Sequence, residues 1–198
     1  MIVLALDTTG PDCSACLSQD DRVLAFTSER IGRGHAERLA PMVAELFVAA
    51  DLARDAVDRI AVCTGPGSFT GLRVALSLAK GFALPRRLPV LGMDALMIEA
   101  ATWPDARVAV FRDVKRGQVF AAIHEQGRVR VLPQAMSMND AQALAAAHSA
   151  PLYPAERVDV RMLAQLAMAA DPADHAADPL YARAPDAKLP GGKVLPAS

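Results

Sequence analysis

Three short apolar runs crowd the start of the chain, residues 2–6 (IVLAL), 13–18 (CSACLS) and 22–29 (RVLAFTSE), with only Gly10-Pro11-Asp12 and Gln19-Asp20-Asp21 between them. Runs this short, joined by turn-formers, can pair only with their neighbours, so an antiparallel meander is predicted. The periodicity then changes. From His35 to Ala50 the residues Leu39, Met42, Val43, Leu46 and Phe47 recur at helical spacing, and residues 57–64 read as a buried strand. Pro41 is expected to kink that helix or delay its start. A glycine-rich loop leads into a second helix over residues 71–84, which Pro85 closes. The order β-β-β-α-β-α predicts an α/β lobe.

A weaker copy begins at Arg107, with strands expected at 107–111, 119–124 and 128–132 and a turn from Asp113 to Gln118. Ala-rich helices follow near 139–147 and 160–170. The expected division is therefore 1–100 for a complete N-terminal lobe, 101–180 for a reduced C-terminal lobe and 181–198 for an extended, proline-rich tail. With 53% hydrophobic residues in 198 and a mean hydropathy of +0.21, a core can form without staples. Aromatic residues make up only 5%, so the apolar mass is Ala, Leu and Val, which suits close packing of helices on a sheet.

Charge and cysteine content narrow the chemistry. Net charge is -1, from 21 basic and 22 acidic residues dispersed along the chain, so no overall field grips a polyanion. Asp7 interrupts the first apolar run before a signal-peptide core or membrane span is reached, and a cytosolic location with no membrane contact is expected. Cys13 and Cys16 have CxxC spacing, but no second ligand pair accompanies them. In a strand, residues three apart point to opposite faces, so small apolar core residues are expected. His35, His124, His148 and His175 form no HExxH or HxxxH pair, and no GxSxG elbow occurs. No catalytic residue and no metal ligand is assigned.

Two stretches invite a binding role. Asp7-Thr8-Thr9-Gly10 ends the first strand, where a carboxylate and small residues could hold magnesium and phosphate, or could simply make a turn. Thr64-Gly65-Pro66-Gly67-Ser68-Phe69-Thr70-Gly71 is a tight strand-to-helix loop in which Ser68 or Thr70 can cap the helix. It lacks the ending of a Walker A loop and the spacing of a dinucleotide turn. Asp7, Thr8, Thr9, Gly65, Gly67 and Ser68 are thus candidates for a vestigial phosphate loop. On the second helix Arg73, Ser77 and Lys80 form one polar stripe, while Gly71, Ala75, Ala79 and Ala83 form a row of small residues. The first helix carries Ala36, Ala40, Ala44 and Val48 beyond its core stripe. Helices apolar over more than one face suggest a partner as well as a core. Ala36, Ala40, Ala44, Val48, Arg73, Ala75, Ala79 and Ala83 are the partner-binding candidates.

With these residues in view the chain resembles the TsaB (YeaZ) family. The resemblance is carried by LALDTTGPDCSACL, HAERLAPMV, TGPGSFTGLRVALSLAKGFA and the late PLYARAPDAKLP. The segment DVKRGQVF departs from the family at Lys115 and Gln118, where arginine and glutamate are usual. The resemblance implies an actin-like ATPase (ribonuclease H-like) fold and a role in forming N6-threonylcarbamoyladenosine beside the anticodon of tRNA. It implies a non-catalytic subunit that docks on the catalytic paralogue TsaD and recruits the ATPase TsaE. It further implies self-pairing when alone, tRNA met only through the complex, and nucleotide only at a shared interface. The rival expectation from the residues is an independent actin-like ATPase or phosphotransferase built on Asp7 and the 65–71 loop.

Overall fold

The computed structural model describes residues 1–104 and 106–181. Three strands, β1 (Ile2–Asp7), β2 (Asp12–Gln19) and β3 (Arg22–Arg30), form the expected antiparallel meander. Helix α1 (His35–Ala49) is followed by β4 (Arg59–Cys63), α2 (Phe69–Ala83), β5 (Val90–Met93) and α3 (Ala95–Ala100). Both β4 and β5 run parallel to β1, in the sheet order β3-β2-β1-β4-β5. That is the ribonuclease H-like lobe of an actin-like fold. Pro41 lies within α1 on its exposed side, and the helix continues through it.

The second sheet has the order β8-β7-β6-β9, from β6 (Arg107–Asp113), β7 (Gln118–Glu125), β8 (Arg128–Ser137) and the short β9 (Leu152–Pro154). Helix α4 (Met138–Ala147) covers one face of it through Ala141 and Ala145, while α3 packs on the other through Leu96 and Ala100. The reduced second lobe is therefore present. Its last helix, α5 (Val160–Ala169), nevertheless packs on the first sheet, so the expected cut near residue 100 does not describe where α5 lies. The tail lies outside the described residues beyond Tyr181, as does most of PLYARAPDAKLP.

Alternation along β1 shows how the first sheet is covered. Leu4 and Leu6 face α1 and α2, together with Leu39, Met42, Leu46 and Ala75. Val3 and Ala5 face the opposite way, toward Ile98, Leu163 and Ala167. A sheet with helices on both faces needs both sets apolar, and each buried leucine contributes about 1.5–3 kcal/mol. Cys13 joins the first cluster and Cys16 the second, the opposite-face placement expected of strand residues three apart. Both are free thiols.

Candidate functional site

The turn between β1 and β2 lies against the loop between β4 and α2, and the two meet backbone to backbone. A Cβ on Gly67 would come within 2.4 Å of the Thr9 carbonyl oxygen, and one on Gly71 within 1.9 Å of the Thr8 carbonyl oxygen. Only glycine permits that approach. The contact is then bonded: the Ser68 N–H donates to the Thr9 carbonyl at 2.8 Å, and the Thr8 hydroxyl to the Gly71 carbonyl at 2.6 Å. Ser68 caps α2, its hydroxyl accepting from the Gly71 N–H. Thr64 accepts from the Leu180 N–H, and Gly65 from the Ala95 N–H.

The clearance that the glycines create is filled by the chain's own Thr8 and Thr9. Asp7 is 2% exposed and accepts from the Thr9 N–H. Burial raises its pKa above the ordinary carboxylate range, while the charge of Arg112 on β6 works in the opposite direction. Magnesium and phosphate would need an open carboxylate and free amides. Asp7 offers no open carboxylate, while Gly67, Ser68, Phe69 and Thr70 at the start of α2 are exposed. Of the phosphate-loop candidates, Asp7, Thr8, Thr9 and Gly65 are buried in the packing of the turn, and Gly67 and Ser68 border the cleft beside it. A cleft of about 1520 Å³ does lie beside this turn, between Gly10, Arg33, Ser68, Arg112 and Glu156. Among the described residues, no three His, Cys, Asp or Glu side chains gather as ligands for a metal.

The outer side of α1 and α2 has the opposite character. Ala36, Ala40, Arg73 and Ser77 line an open groove of about 550 Å³ with Phe69, Val74 and Leu78. Val48 is 82% exposed, and Leu84, just past α2, is 76% exposed. Ala44 is half-buried. Arg73 is ordered over the Phe69 ring at 3.8 Å, and Tyr181 packs against the same ring, with centroids 5.2 Å apart. Farther along the two helices the Phe47 and Phe82 rings stack with centroids 5.8 Å apart.

Of the candidates for partner contact, Ala36, Ala40, Val48 and Arg73 lie on this outer face. Ala75, Ala79 and Ala83 do not. They are buried at 0%, 0% and 5% exposure, within the cluster that joins α2 to the first sheet. The small-residue row lets α2 approach the chain's own strands, and its assignment to a partner interface is corrected accordingly. Phe69, Leu78 and Leu84 belong to the outer face but were not anticipated. The polar stripe of Arg73, Ser77 and Lys80, extended by four residues each way, reaches Phe69 and Leu84. In the DVKRGQVF segment, Lys115 lies in a tight turn at φ 71°, its N–H donating to Asp113, and Gln118 opens β7.

The family model for tRNA N6-adenosine threonylcarbamoyltransferase, TsaD, matches residues 26–145. An uncharacterized protein of Mycobacterium tuberculosis is 34% identical over 200 residues, covering 94% of this chain and 93% of that one. The tRNA threonylcarbamoyladenosine biosynthesis protein TsaB of Escherichia coli is 34% identical over 130 residues. Its Bacillus subtilis counterpart is 31% identical over 127 residues. The chain belongs to the TsaB (YeaZ) family. YeaZ from Pseudomonas aeruginosa superimposes with a TM-score of 0.68 at 28% identity, covering 91% of this TsaB-family chain and 99% of that structure. A second P. aeruginosa structure, described as similar to peptidase YeaZ, gives 0.72 at 27% identity, covering 92% and 99%. The matches span 56% of the length of the E. coli and B. subtilis TsaB proteins.

Proposed function

We propose that this chain is a non-catalytic docking subunit in the formation of threonylcarbamoyladenosine on tRNA, and that it works by pairing with a TsaD-like catalytic relative through the outer face of α1 and α2. The carrying observation is that face itself. Val48 and Leu84 are mostly exposed, Phe69 is 43% exposed, and the alanines between them leave an apolar groove with one ordered cation, Arg73. An apolar centre with an aromatic and an arginine anchor is the composition of an interface core. The names of the E. coli and B. subtilis relatives support the pathway, and the match to a TsaD family model supports pairing between structurally similar chains.

In this reading a TsaE-like ATPase joins the assembled pair, tRNA is met only through the complex, and any nucleotide lies at a shared interface. The same face pairs two copies when no catalytic relative is present. The setting is the cytoplasm, in keeping with the absence, among the described residues, of any helix long and apolar enough to cross a membrane. The test is co-purification with a TsaD-like protein from the same genome. Ala40→Glu and Val48→Glu should each abolish co-purification and leave the thermal unfolding curve in place. Retention of the partner by both variants would overturn the docking assignment. Magnesium-dependent ATP binding by the isolated chain, measured by calorimetry, would favour the rival ATPase reading.

A further inference from the structure

The β1–β2 turn is gripped from the second lobe by two arginines. Arg157, just beyond β9, donates from Nε to the Asp12 Oδ2 at 2.6 Å, and the Asp12 side chain is 7% exposed. Arg112 on β6 is 7% exposed. Its Nη2 lies 3.1 Å from where a Cβ on Gly10 would sit, and the Glu156 carbonyl oxygen is 3.8 Å from the same point. Asp12 at one end of the turn is thus bonded by Arg157, and Asp7 at the other end lies in the field of Arg112 on β6. Arg112 Nη1 and Asp12 Oδ1 are buried without a hydrogen-bond partner among the described residues. These attractions therefore act through charge more than through forked bonding.

We propose that Arg112 and Arg157 form an interlobe clasp on the β1–β2 turn, which fixes the angle between the two lobes from within. Arg112, Asp7 and Asp12 are buried and costly to leave unmatched, whereas the Arg157 side chain is 61% exposed and reaches in to Asp12. The glycine-mediated contact with the 65–71 loop holds one side of the turn, and the arginines hold the other. The clasp is independent of the docking reading, because it is tested on the isolated chain.

The experiment places nitroxide labels at Glu37→Cys on α1 and Arg128→Cys on β8, both exposed positions, in spin-diluted samples; the native cysteines are buried. Pulsed dipolar spectroscopy then reads the distance between lobes. The wild-type background should give one narrow distribution, unchanged by magnesium and ATP. Arg157→Ala and Arg112→Met should each broaden it or shift it to longer distance, and Arg112→Lys should restore much of the narrow form. A second readout isolates charge. Without Arg112 the ionised Asp7 is uncompensated, its folded pKa rises further, and protonation favours the folded state. The melting-temperature deficit of Arg112→Met should therefore shrink as pH falls. Folded Arg157→Ala and Arg112→Lys variants bracket the outcome if Arg112→Met fails to fold. Superimposable distributions in every folded variant, or a deficit that ignores pH, would overturn the clasp.

Discussion

Two surfaces of this molecule attract attention for opposite reasons. The glycine-rich loop from Gly65 to Gly71 has the look of a ligand cradle, yet the clearances at Gly67 and Gly71 are taken by Thr9 and Thr8, and that at Gly65 by Leu72 and Leu180. The outer face of α1 and α2 has no such motif, yet Val48, Leu84 and Phe69 stand exposed beside a row of alanines. Glycine tells that something approaches closely, and here that something is the chain's own backbone. Exposed apolar area is costly for a protein with a well-formed core to keep, and on this face it is left open. The loop is held by its own chain, and the exposed helix face is what the docking proposal rests on.

That division can be broken by substitutions, with the largest effect expected where packing is tightest. Ala75→Asp, on the inner side of α2, places an unpaired charge among β1, β4 and α1, and should cost about 4 kcal/mol or more in chemical denaturation. Gly71→Ala drives a methyl into the Thr8 carbonyl and should cost about 2–4 kcal/mol by the same measurement. Either variant retaining full stability would show that the loop is not held as described. Val48→Glu, on the outer side, should leave stability within about 0.5 kcal/mol while removing affinity for a TsaD-like partner.

Smaller effects sharpen the picture. Burial pushes the Cys13 thiol up to about 11 and raises Cys16 and Cys63 as well. Thiolate is scarce at neutral pH, so none of the three should react with a thiol reagent until the chain is denatured. Rapid native labelling would place β2 or β4 nearer the surface than the fold allows. At the low end, Arg38 pairs with Glu29 and Glu45 on the surface and lowers the pKa of both glutamates. Their contribution is present above the ordinary glutamate range and is lost as pH falls through the depressed folded values. Arg38→Gln should therefore lower the melting temperature slightly near neutrality and not at all in strong acid.

Local pattern was enough to read β1, β2, β3, α1, α2, α4 and α5, because each combines a clear period with a turn or cap at its ends. The shorter β5, α3 and β9 were not legible: four, six and three residues are too few to establish a period. The direction of the small-residue row on α2 was not legible either. A helical wheel separates faces but does not say which face meets the sheet, and α2 is apolar over most of its surface. The outer face was half visible through Ala36, Ala40, Val48 and Arg73. Pairing Arg157 with Asp12 was out of reach, since a contact across more than a hundred residues leaves no local signal.

The measurement that bears most directly on this account is hydrogen–deuterium exchange of the chain with and without a TsaD-like protein from the same genome. Slowed exchange should appear in residues 36–48 and 69–84, while the β1–β2 turn, already bonded to the 65–71 loop, exchanges as in the free chain. New protection confined to the cleft around Gly10 and Arg112, with the outer helices unchanged, would contradict it.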